Sequence, residues 1–334
     1  MPAKGAVAVF EIQTVVPDPE RPECGIKLHS LAREETRGAI TAVESFQGGL
    51  IGTAQGQKIM IRGLKEDGSC LPVAFLDAQC HTLSLKTFLR SGMWFAADAW
   101  KGLWFGGFTE EPYKLHVLGR SRTQMEVLAA EFLPFDEGLY LMVADGEGKL
   151  QCLQYDPENG KSMGGSKLLH RGAFHLGRDV VEMRLVPSRL APLAAQQAAL
   201  TNGINGTNDD DTAAATPPPS ERQNQTLYHT LLTTTSGALG LLTPLDESSY
   251  RRLSALQLHL SSVLEHAGSL NPRAYRSPEG LDGGRGAVVD GEVLRRLGEV
   301  GSARRAEVLG RAGMDGWGWR GDGEVIFGGG LGWL

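Results

Sequence analysis

The sequence predicts an incomplete all-β propeller, with about four visible blades, followed by a small α-helical C-terminal domain. Three observations predict this fold class. Short apolar runs separated by Gly, Asp and Pro fill the chain up to about residue 177. One strand-turn-strand pattern recurs at a spacing of about 45 residues, which is typical of propeller blades. After Pro244 the apolar residues recur every three or four positions, as in amphipathic helices.

Short runs with β-like composition follow one another through the first half of the chain. Val, Ile, Leu and aromatic residues dominate them, and turn residues bound them. The predicted strands are 6–16, 26–32, 40–45, 50–54, 57–63, 73–76, 81–88, 94–98, 102–105, 114–118, 124–131, 139–144 and 150–155. No helix is expected among them, and strand composition resumes at Leu227.

The recurring pattern is a strand that ends in small or acidic residues, a tight Gly turn and a second strand. Its copies begin at Leu50, Trp94, Leu141 and Leu232. The first three lie about one blade apart, and the last gap is about twice as long. We therefore predict four blades preceded by additional leading strands, with an insertion before the last copy.

The insertion covers residues 190–225. It contains an Ala/Gln run, Asn-Gly repeats, three consecutive Asp residues and three consecutive Pro residues. Such a composition buries too little apolar surface to offset the entropy lost on ordering, so the segment is predicted to be a disordered loop.

Helical periodicity begins after Asp246, which can cap a helix. The spacing of Tyr250, Leu253, Leu256 and Leu260 predicts a helix over 247–266, and shorter helices are expected at 290–297 and 302–311. The predicted organisation is a partial C-terminal propeller over 1–245, a helical domain over 246–312 and an irregular tail rich in Gly and Trp over 313–334.

Charge and cysteine content limit the function classes. The 33 Lys and Arg residues are outnumbered by 39 Asp and Glu residues, so any RNA contact must be a local patch. The four cysteines form no CxxC pair, and we expect reduced, buried thiols. Because no apolar run reaches the ~20 residues that span a bilayer, we expect a soluble intracellular protein without a membrane partner.

Segments that suggest chemistry do not assemble into a catalytic set. Residues 145–150 (DGEGKL) lack the earlier Gly and the following Ser or Thr of a phosphate-binding loop, so a β-hairpin turn is predicted there. His170 and His175 have no carboxylate or Cys between them, which does not favour a metal site. The sequence predicts no catalytic residue, no metal ligand and no cofactor.

Aromatic and basic residues allow two interpretations. Trp94, Trp100 and Trp104, with Phe95 and Phe105, could stack on nucleic-acid bases, although core packing is favoured. Arg251-Arg252 and Arg304-Arg305 lie on predicted helices, where solvated faces are the ordinary interpretation and contact with RNA or an acidic partner is the alternative.

Several segments carry a family resemblance, above all 164–175 (GGSKLLHRGAFH) and 270–276 (LNPRAYR). They resemble the large subunit of the cleavage and polyadenylation specificity factor in its fungal form. Further matching segments are 5–11, 54–58, 62–67, 71–77, 101–105, 110–114 and 250–253. Other features are shared with the whole superfamily, which includes the large subunits of the damaged-DNA-binding complex and of splicing factor 3b. These are Phe-His-x-Gly at 174–177, Thr-x-x-Gly-x-x-Gly at 234–240 and Val-x-Asp-Gly-Glu at 288–292.

The resemblance implies a noncatalytic nuclear scaffold for pre-mRNA 3′-end cleavage and polyadenylation. It implies three propellers and a helical C-terminal domain in the whole protein, so this chain is expected to be a truncated fragment or an incomplete gene model. The implied partners are a WD-repeat subunit, a zinc-finger subunit, an endonuclease module and pre-mRNA, contacted directly or indirectly. The alternative is a ubiquitin-ligase adaptor, a DNA-damage-binding protein or a spliceosomal scaffold of the same superfamily.

Two polar segments outside the blades are the predicted partner interface, and docking of the helices onto the propeller is the alternative role for them. Residues 164–175 are interpreted as a strand-turn element between the third and fourth blades. The predicted interface residues are Tyr250, Arg251, Arg252, Asn271, Arg273 and Arg276.

Overall fold

The computed structural model describes residues 4–16, 25–78, 81–89, 91–136, 138–188, 227–276 and 287–314, with positions 316, 319 and 323 beyond them. The chain divides into two compact units. The first contains Met1–Ala130 and Tyr155–Leu169, and the second contains Glu131–Gln154 and His170–Leu334.

The strands follow one another in chain order and pair with their sequence neighbours. Their bounds are β1 Gly5–Thr14, β2 Ile26–Thr36, β3 Ile40–Ser45, β4 Ile51–Gln55, β5 Lys58–Leu64, β6 Cys70–Asp77, β7 Thr82–Thr87, β8 Met93–Asp98, β9 Gly102–Glu110, β10 Tyr113–Arg120, β11 Val127–Phe135, β12 Gly138–Asp145, β13 Lys149–Gln154, β14 Leu169–His175, β15 Val180–Pro187, β16 Tyr228–Thr234 and β17 Leu239–Leu242.

The first unit contains two complete blades, β3–β6 and β7–β10, each a four-stranded antiparallel sheet. The leading strands β1 and β2 form a separate two-stranded sheet. The core between the blades is closely packed around the fully buried Trp94, with Ile59, Ile61 and Phe46 in the same cluster. A Cβ at Gly52 would lie 2.2 Å from the Phe46 ring, so only glycine fits that position.

The recurring sequence pattern corresponds to one hairpin of each blade. It joins the second strand to the third: β4 to β5, β8 to β9, β12 to β13 and β16 to β17. At the β12 to β13 turn, Asp145 Oδ1 accepts hydrogen bonds from the backbone N–H of Glu147 at 3.0 Å and of Lys149 at 2.9 Å. Gly148 has a φ of 71°, which favours glycine. The hairpin predicted at 145–150 is therefore confirmed.

The second unit contains most of the third blade, β11–β14, and a three-stranded sheet, β15–β17. The prediction that residues 164–175 lie between the third and fourth blades is wrong. Leu169–His175 is the fourth strand of the third blade. Two short 3₁₀ turns, Gln47–Gly49 and Gly160–Ser162, also interrupt a region predicted to lack helix.

Within the described ranges up to residue 314, four α-helices follow the sheets: α1 Glu247–Val263, α2 Pro272–Tyr275, α3 Gly291–Arg295 and α4 Ser302–Arg311. Leu253, Leu256 and Leu260 of α1 pack with residues of α3 and α4 in one buried cluster. The three predicted helices are confirmed, although α1 ends before residue 266 and a 3₁₀ turn, Arg296–Glu299, completes the second. The boundary at 245/246 as a domain limit stays a prediction.

The fold class is confirmed, since sheets arranged as four propeller blades are followed by a few helices. The predicted loop at 190–225, nearly all of the tail after Gly313, Cys24 and Cys80 lie outside the described residues. Among the residues that are described, no helix is both long and apolar enough to cross a membrane.

Candidate interaction surface

The first two turns of α1 carry three of the predicted interface residues. The Asp246 side chain caps the helix by accepting a hydrogen bond from Ser249 N–H at 3.2 Å. Arg251 forms an ion pair with Glu247 one turn earlier, and both side chains are exposed. Arg252 donates to Ser249 Oγ at 3.2 Å. The two guanidinium groups are thus positioned by the helix that carries them, and Arg251 remains accessible to a partner.

Tyr250 lies on the wall of an open groove of about 1500 Å³ within the second unit. Apolar side chains supply much of its lining. The lining residues include Met142, Cys152, Gln154, Arg171, Gly172, Leu241, Leu242 and Thr243. Tyr250 is half-buried there, so its ring can contact a molecule in the groove.

Asn271 and Arg273 belong to the short helix α2. The Asn271 side chain accepts a hydrogen bond from Arg273 N–H at 3.0 Å and caps the helix. The side chains of Arg273 and Tyr275 are exposed, as is Leu270 before the cap. Asn271 therefore has a local structural role, whereas Arg273 is presented to solvent.

Arg276 connects α2 with the third blade and with the cap of α3. Its carbonyl accepts a hydrogen bond from His175 N–H of β14 at 2.9 Å. Its guanidinium lies 5.4 Å from the centre of the Phe174 ring, a cation–π contact. Arg276 Nε is 3.2 Å from Asp290 Oδ2, but its N–H is not aligned with that oxygen, so the contact is an ion pair without a hydrogen bond.

Asp290 is a structural residue that sequence reasoning did not single out. Its Oδ1 accepts from Glu292 N–H at 3.0 Å and caps α3, and its own N–H donates to Gln257 Oε1 of α1 at 2.8 Å. The signal was present in the Val-x-Asp-Gly-Glu step at 288–292. The Arg276–Asp290 contact supports a docking role for Arg276, and the interface role of the six predicted residues stays a prediction.

A second accessible surface lies on the second blade, in the first unit. We call Trp100, Lys101, Arg120, Arg122 and Lys167 the Trp100 patch. Trp100 is 72% exposed, and the Arg120 guanidinium stacks 4.8 Å from the Trp104 ring centre. Backbone contacts of Arg120 with Ser166 and Leu168 place Lys167 beside Arg120.

The other members of the aromatic group have a different environment. Trp94 and Phe95 are fully buried, and Phe105 is 4% exposed. Core packing, the interpretation favoured from the sequence, is confirmed for these three. Trp104 is half-buried and packs against the core cluster. Trp100 differs from the other four, because it occupies the β8 to β9 turn and its side chain is exposed.

Titratable groups of the second unit include one strongly perturbed thiol. Burial raises the pKa of Cys152 to about 12, even though Arg171 nearby favours the thiolate. Burial also lowers the pKa of His229, whose Nδ1 lies 3.2 Å from Thr243 Oγ1. Over the described ranges no three His, Cys, Asp or Glu side chains come together as metal ligands. Cys70 and Cys152 are half-buried, less buried than expected.

Comparison with known families connects this geometry to a class of proteins. The family model described as "CPSF A subunit region" matches residues 1–299, which include every described blade and helices α1 to α3. The chain belongs to the CPSF A subunit region family.

Fungal relatives resemble this CPSF A subunit region along nearly its whole length. Protein cft1 of Aspergillus fumigatus is 44% identical over 337 residues, covering 100% of this chain and 23% of the relative. Protein CFT1 of Coccidioides immitis is 44% identical, covering 98% and 22%. Protein cft1 of Schizosaccharomyces pombe is 32% identical, covering 93% and 20%. The chain thus spans about a fifth to a quarter of the length of these relatives, and the resemblance found in the sequence is confirmed.

Proposed function

We propose that this CPSF A subunit region is part of a noncatalytic scaffold in the nuclear machinery that cleaves and polyadenylates pre-mRNA. The observation that carries the proposal is the family match over residues 1–299, together with relatives that align along nearly the whole chain. In this proposal the protein holds a WD-repeat subunit and a zinc-finger subunit and connects them to the endonuclease module.

The packing of the chain supports a scaffold role. Blade cores such as that around Trp94 are fully buried, so the sheets form rigid supports for exposed side chains. Arg251 on α1 and Arg273 on α2 are exposed to solvent, and each is carried by a helix. Rigid elements position binding groups more accurately than loops do.

The Trp100 patch supports a direct contact with pre-mRNA. An exposed indole can stack on a base, and neighbouring Lys and Arg side chains can contact the phosphates. Arg120 is held by its contact with Trp104, so its guanidinium loses little freedom on binding. The net charge of −6 makes a local site of this kind necessary for binding a polyanion.

Affinity purification tests the scaffold role. The bait is a chimera in which this chain replaces the matched region of the Aspergillus fumigatus relative, expressed in that fungus. Recovery of the WD-repeat, zinc-finger and endonuclease subunits is expected. Recovery of ubiquitin-ligase or spliceosome subunits without polyadenylation factors would instead support the alternative superfamily functions.

RNA binding is tested on the chain itself. Trp100→Ala is expected to weaken binding of a fluorescent single-stranded RNA by about 5- to 150-fold, since stacking contributes about 1–3 kcal/mol per base. The double variant Arg120→Gln/Lys167→Gln is expected to weaken it through the loss of phosphate contacts and to reduce its salt dependence. Leu258→Ala, at an exposed site on α1, is the matched control. Unchanged RNA affinity in both patch variants would contradict a direct contact at this site.

A further inference from the structure

The loop that precedes β14 carries an apolar side chain on an unusual backbone conformation. We call residues 159–167 the Met163 loop. Met163 has a φ of 51° and a ψ of 52°, which lie in the left-handed region. Its side chain is 67% exposed. Residues with a Cβ rarely adopt this region, and an exposed methionine gains little burial that would offset the cost.

Hydrogen bonds within the loop hold Met163 in this conformation. Ser162 is fully buried and closes the turn around Met163. Its Oγ accepts a hydrogen bond from Gly165 N–H at 3.0 Å, and its carbonyl accepts one from Lys167 N–H at 3.0 Å. Ser166 Oγ donates to the Met163 carbonyl at 3.1 Å. The backbone at Met163 is therefore fixed before any partner binds, which lowers the entropy lost on binding.

The loop is attached to the second blade, within the first unit. The Ser166 carbonyl accepts a hydrogen bond from Arg120 N–H at 3.2 Å, and Leu168 N–H donates to the Arg120 carbonyl at 2.8 Å. A Cβ at Gly165 would lie 2.9 Å from the Tyr155 ring, so the loop also packs closely there. Because Arg120 ends β10, the edge strand of its blade, the loop continues the sheet at that edge.

The neighbours of Met163 show what its backbone conformation would ordinarily select. Gly164 and Gly165 have φ values of 67° and 88°, and glycine is the residue that such backbone favours. Position 163 has the same requirement but carries a long apolar side chain. Strained residues of this kind concentrate at binding sites, and methionine adapts its shape to apolar pockets. The conformation of Met163 therefore indicates a binding role.

The charge of the loop indicates the chemistry of the partner. Lys161 and Lys167 flank Met163 in sequence, the first exposed and the second half-buried. No Asp or Glu occurs between Glu158 and Asp179. A surface with acidic residues around an apolar pocket would complement this arrangement.

We propose that the Met163 loop is a docking site for a protein partner whose apolar pocket accepts the Met163 side chain and whose pocket rim carries Asp or Glu. The pocket removes the apolar side chain from water, and the rim carboxylates pair with Lys161 and Lys167. RNA fits this site less well, because a thioether has no stacking face and no hydrogen-bond donor. The proposed function does not specify this contact, which goes beyond it.

Photocrosslinking in the assembled protein tests the contact. A benzophenone amino acid replaces Met163 in the chimera used for affinity purification. The control position is Leu89, which is 61% exposed and also has a positive φ, 44°. Position 163 is expected to crosslink to one protein subunit, at apolar residues with Asp or Glu beside them, and position 89 should not crosslink there. Crosslinks only to RNA, to a second copy or to the chimera itself would overturn the proposal, as would their absence.

The affinity for the crosslinked subunit shows whether the Met163 side chain contributes to binding. The purified subunit is titrated into the purified chimera. Met163→Gly is expected to weaken binding by at least about tenfold, and Met163→Leu, which keeps an apolar side chain, by less than about threefold. Leu89→Gly should leave the affinity unchanged. Equal affinities of Met163→Gly and the unsubstituted chimera would overturn the proposal.

A charge reversal tests the acidic rim. Lys161→Glu is expected to weaken binding of the same subunit at low salt and to have a smaller effect at high salt, where the charges are screened. Unchanged or tighter binding at low salt would overturn the assignment of an acidic rim.

Thermal unfolding of the 334-residue chain distinguishes docking from a structural role. Glycine adopts a positive φ without the Cβ penalty, so Met163→Gly should leave the Tm unchanged or raise it. A Tm lowered by more than about 4 °C would give Met163 a structural role and overturn the proposal. Copurification of polyadenylation subunits tests the scaffold role separately, because it does not require a crosslink from position 163.

Discussion

A buried arginine in the first unit and a half-buried arginine in the second are held in different ways. Arg62 in the first unit is 1% exposed and uses its whole guanidinium: Nε donates to Glu34 at 2.7 Å, Nη2 donates to Gln55 at 3.1 Å, and Nη1 donates to Thr53. Arg276 in the second unit is 26% exposed, and its Nε lies near Asp290 without a hydrogen bond. Arg62 is fixed within its blade, whereas Arg276 is held by looser contacts between separate elements.

The difference follows from how each site is built. Thr53 and Gln55 lie on β4, which is paired in register with β5, the strand that carries Arg62. The ladder therefore places two of the three acceptors without help from distant residues. Arg276, Phe174 and Asp290 come from three separate elements that are not paired in one ladder, so their geometry depends on how α2 and α3 pack on β14. The position of Arg62 is fixed because its partners lie on a paired strand. The position of Arg276 can vary with the packing of the elements that carry its partners.

Loss of Arg62 should have the largest effect. Arg62→Met is expected to destabilise the first unit by about 3–5 kcal/mol, because Thr53 and Gln55 lose their partner and Glu34 is left partly buried. Native-state hydrogen exchange of β4 and β5 amides measures the change. Arg37→Met, at an exposed position, is the control. A decrease in the free energy of unfolding below about 1 kcal/mol would mean that the contacts of the Arg62 guanidinium contribute no more than a surface ion pair does.

Loss of Arg276 should have a smaller effect. Arg276→Met keeps most of the apolar contact with Phe174 and is expected to cost about 1–2 kcal/mol in the second unit, close to the value of a single polar contact. A double-mutant cycle with Asp290→Asn should give a weaker coupling energy than the cycle Arg62→Met with Glu34→Gln. Equal or reversed coupling energies would remove the contrast between the two arginines.

The cap of α1 should contribute about 1 kcal/mol or less, with a defined pH dependence. Partial burial alone would raise the pKa of Asp246, but hydrogen bonds from Ser248 and Ser249 outweigh it and lower the pKa. A carboxyl with a lowered pKa stabilises the fold above the pKa of the unfolded state, about 3.9, and this contribution is lost as pH falls through the lower folded value.

Circular dichroism of the helical signal between pH 5 and 2 measures this loss. Asp246→Asn is expected to remove the pH dependence assigned to the cap while keeping an acceptor for Ser249. An Asp246→Asn variant that loses helix with the same pH profile as the original chain would show that other carboxylates are responsible.

The smallest expected effect concerns the ionisation of the Cys152 thiol, which should not change the free energy of unfolding at neutral pH. Since its pKa is raised to about 12, hardly any thiolate forms at pH 8, and the thiolate is the species that reacts with iodoacetamide. Peptide mapping should find Cys152 unmodified in the native chain and modified in urea. Rapid labelling of the native chain would show that a raised pKa does not protect the Cys152 thiol.

Local features were predictable from the sequence. The hairpins were found because small or acidic residues at the end of a strand lie within a few positions of the Gly of the turn, as Asp145 and Gly148 do. The register of Leu253, Leu256 and Leu260 likewise predicted the buried face of α1. Each depends on interactions between near neighbours, which residue patterns encode directly.

Features that depend on distant contacts were not predictable. β14 was not recognised as a blade strand because His170, Arg171 and Gly172 interrupt its apolar pattern, and its pairing with β13 decides its structure. Arg276 was chosen because it is polar, but its Asp290 partner emerges only in the folded chain. The exposure of Trp100 beside the buried Trp94 also depends on tertiary packing.

The chain-order pairing of the blade strands has a consequence for how the protein acquires its structure. In the three four-stranded blades every strand pair joins sequence neighbours, so forming such a blade closes short loops only, whereas β15 and β16 of the fourth sheet are separated by the long segment between Pro187 and Tyr228. Folding rates rise as contacting residues come closer together in sequence, and domains generally form as units during synthesis. Each four-stranded blade can therefore fold as soon as it has been synthesised, and each of its hairpins can pair before the next one is translated.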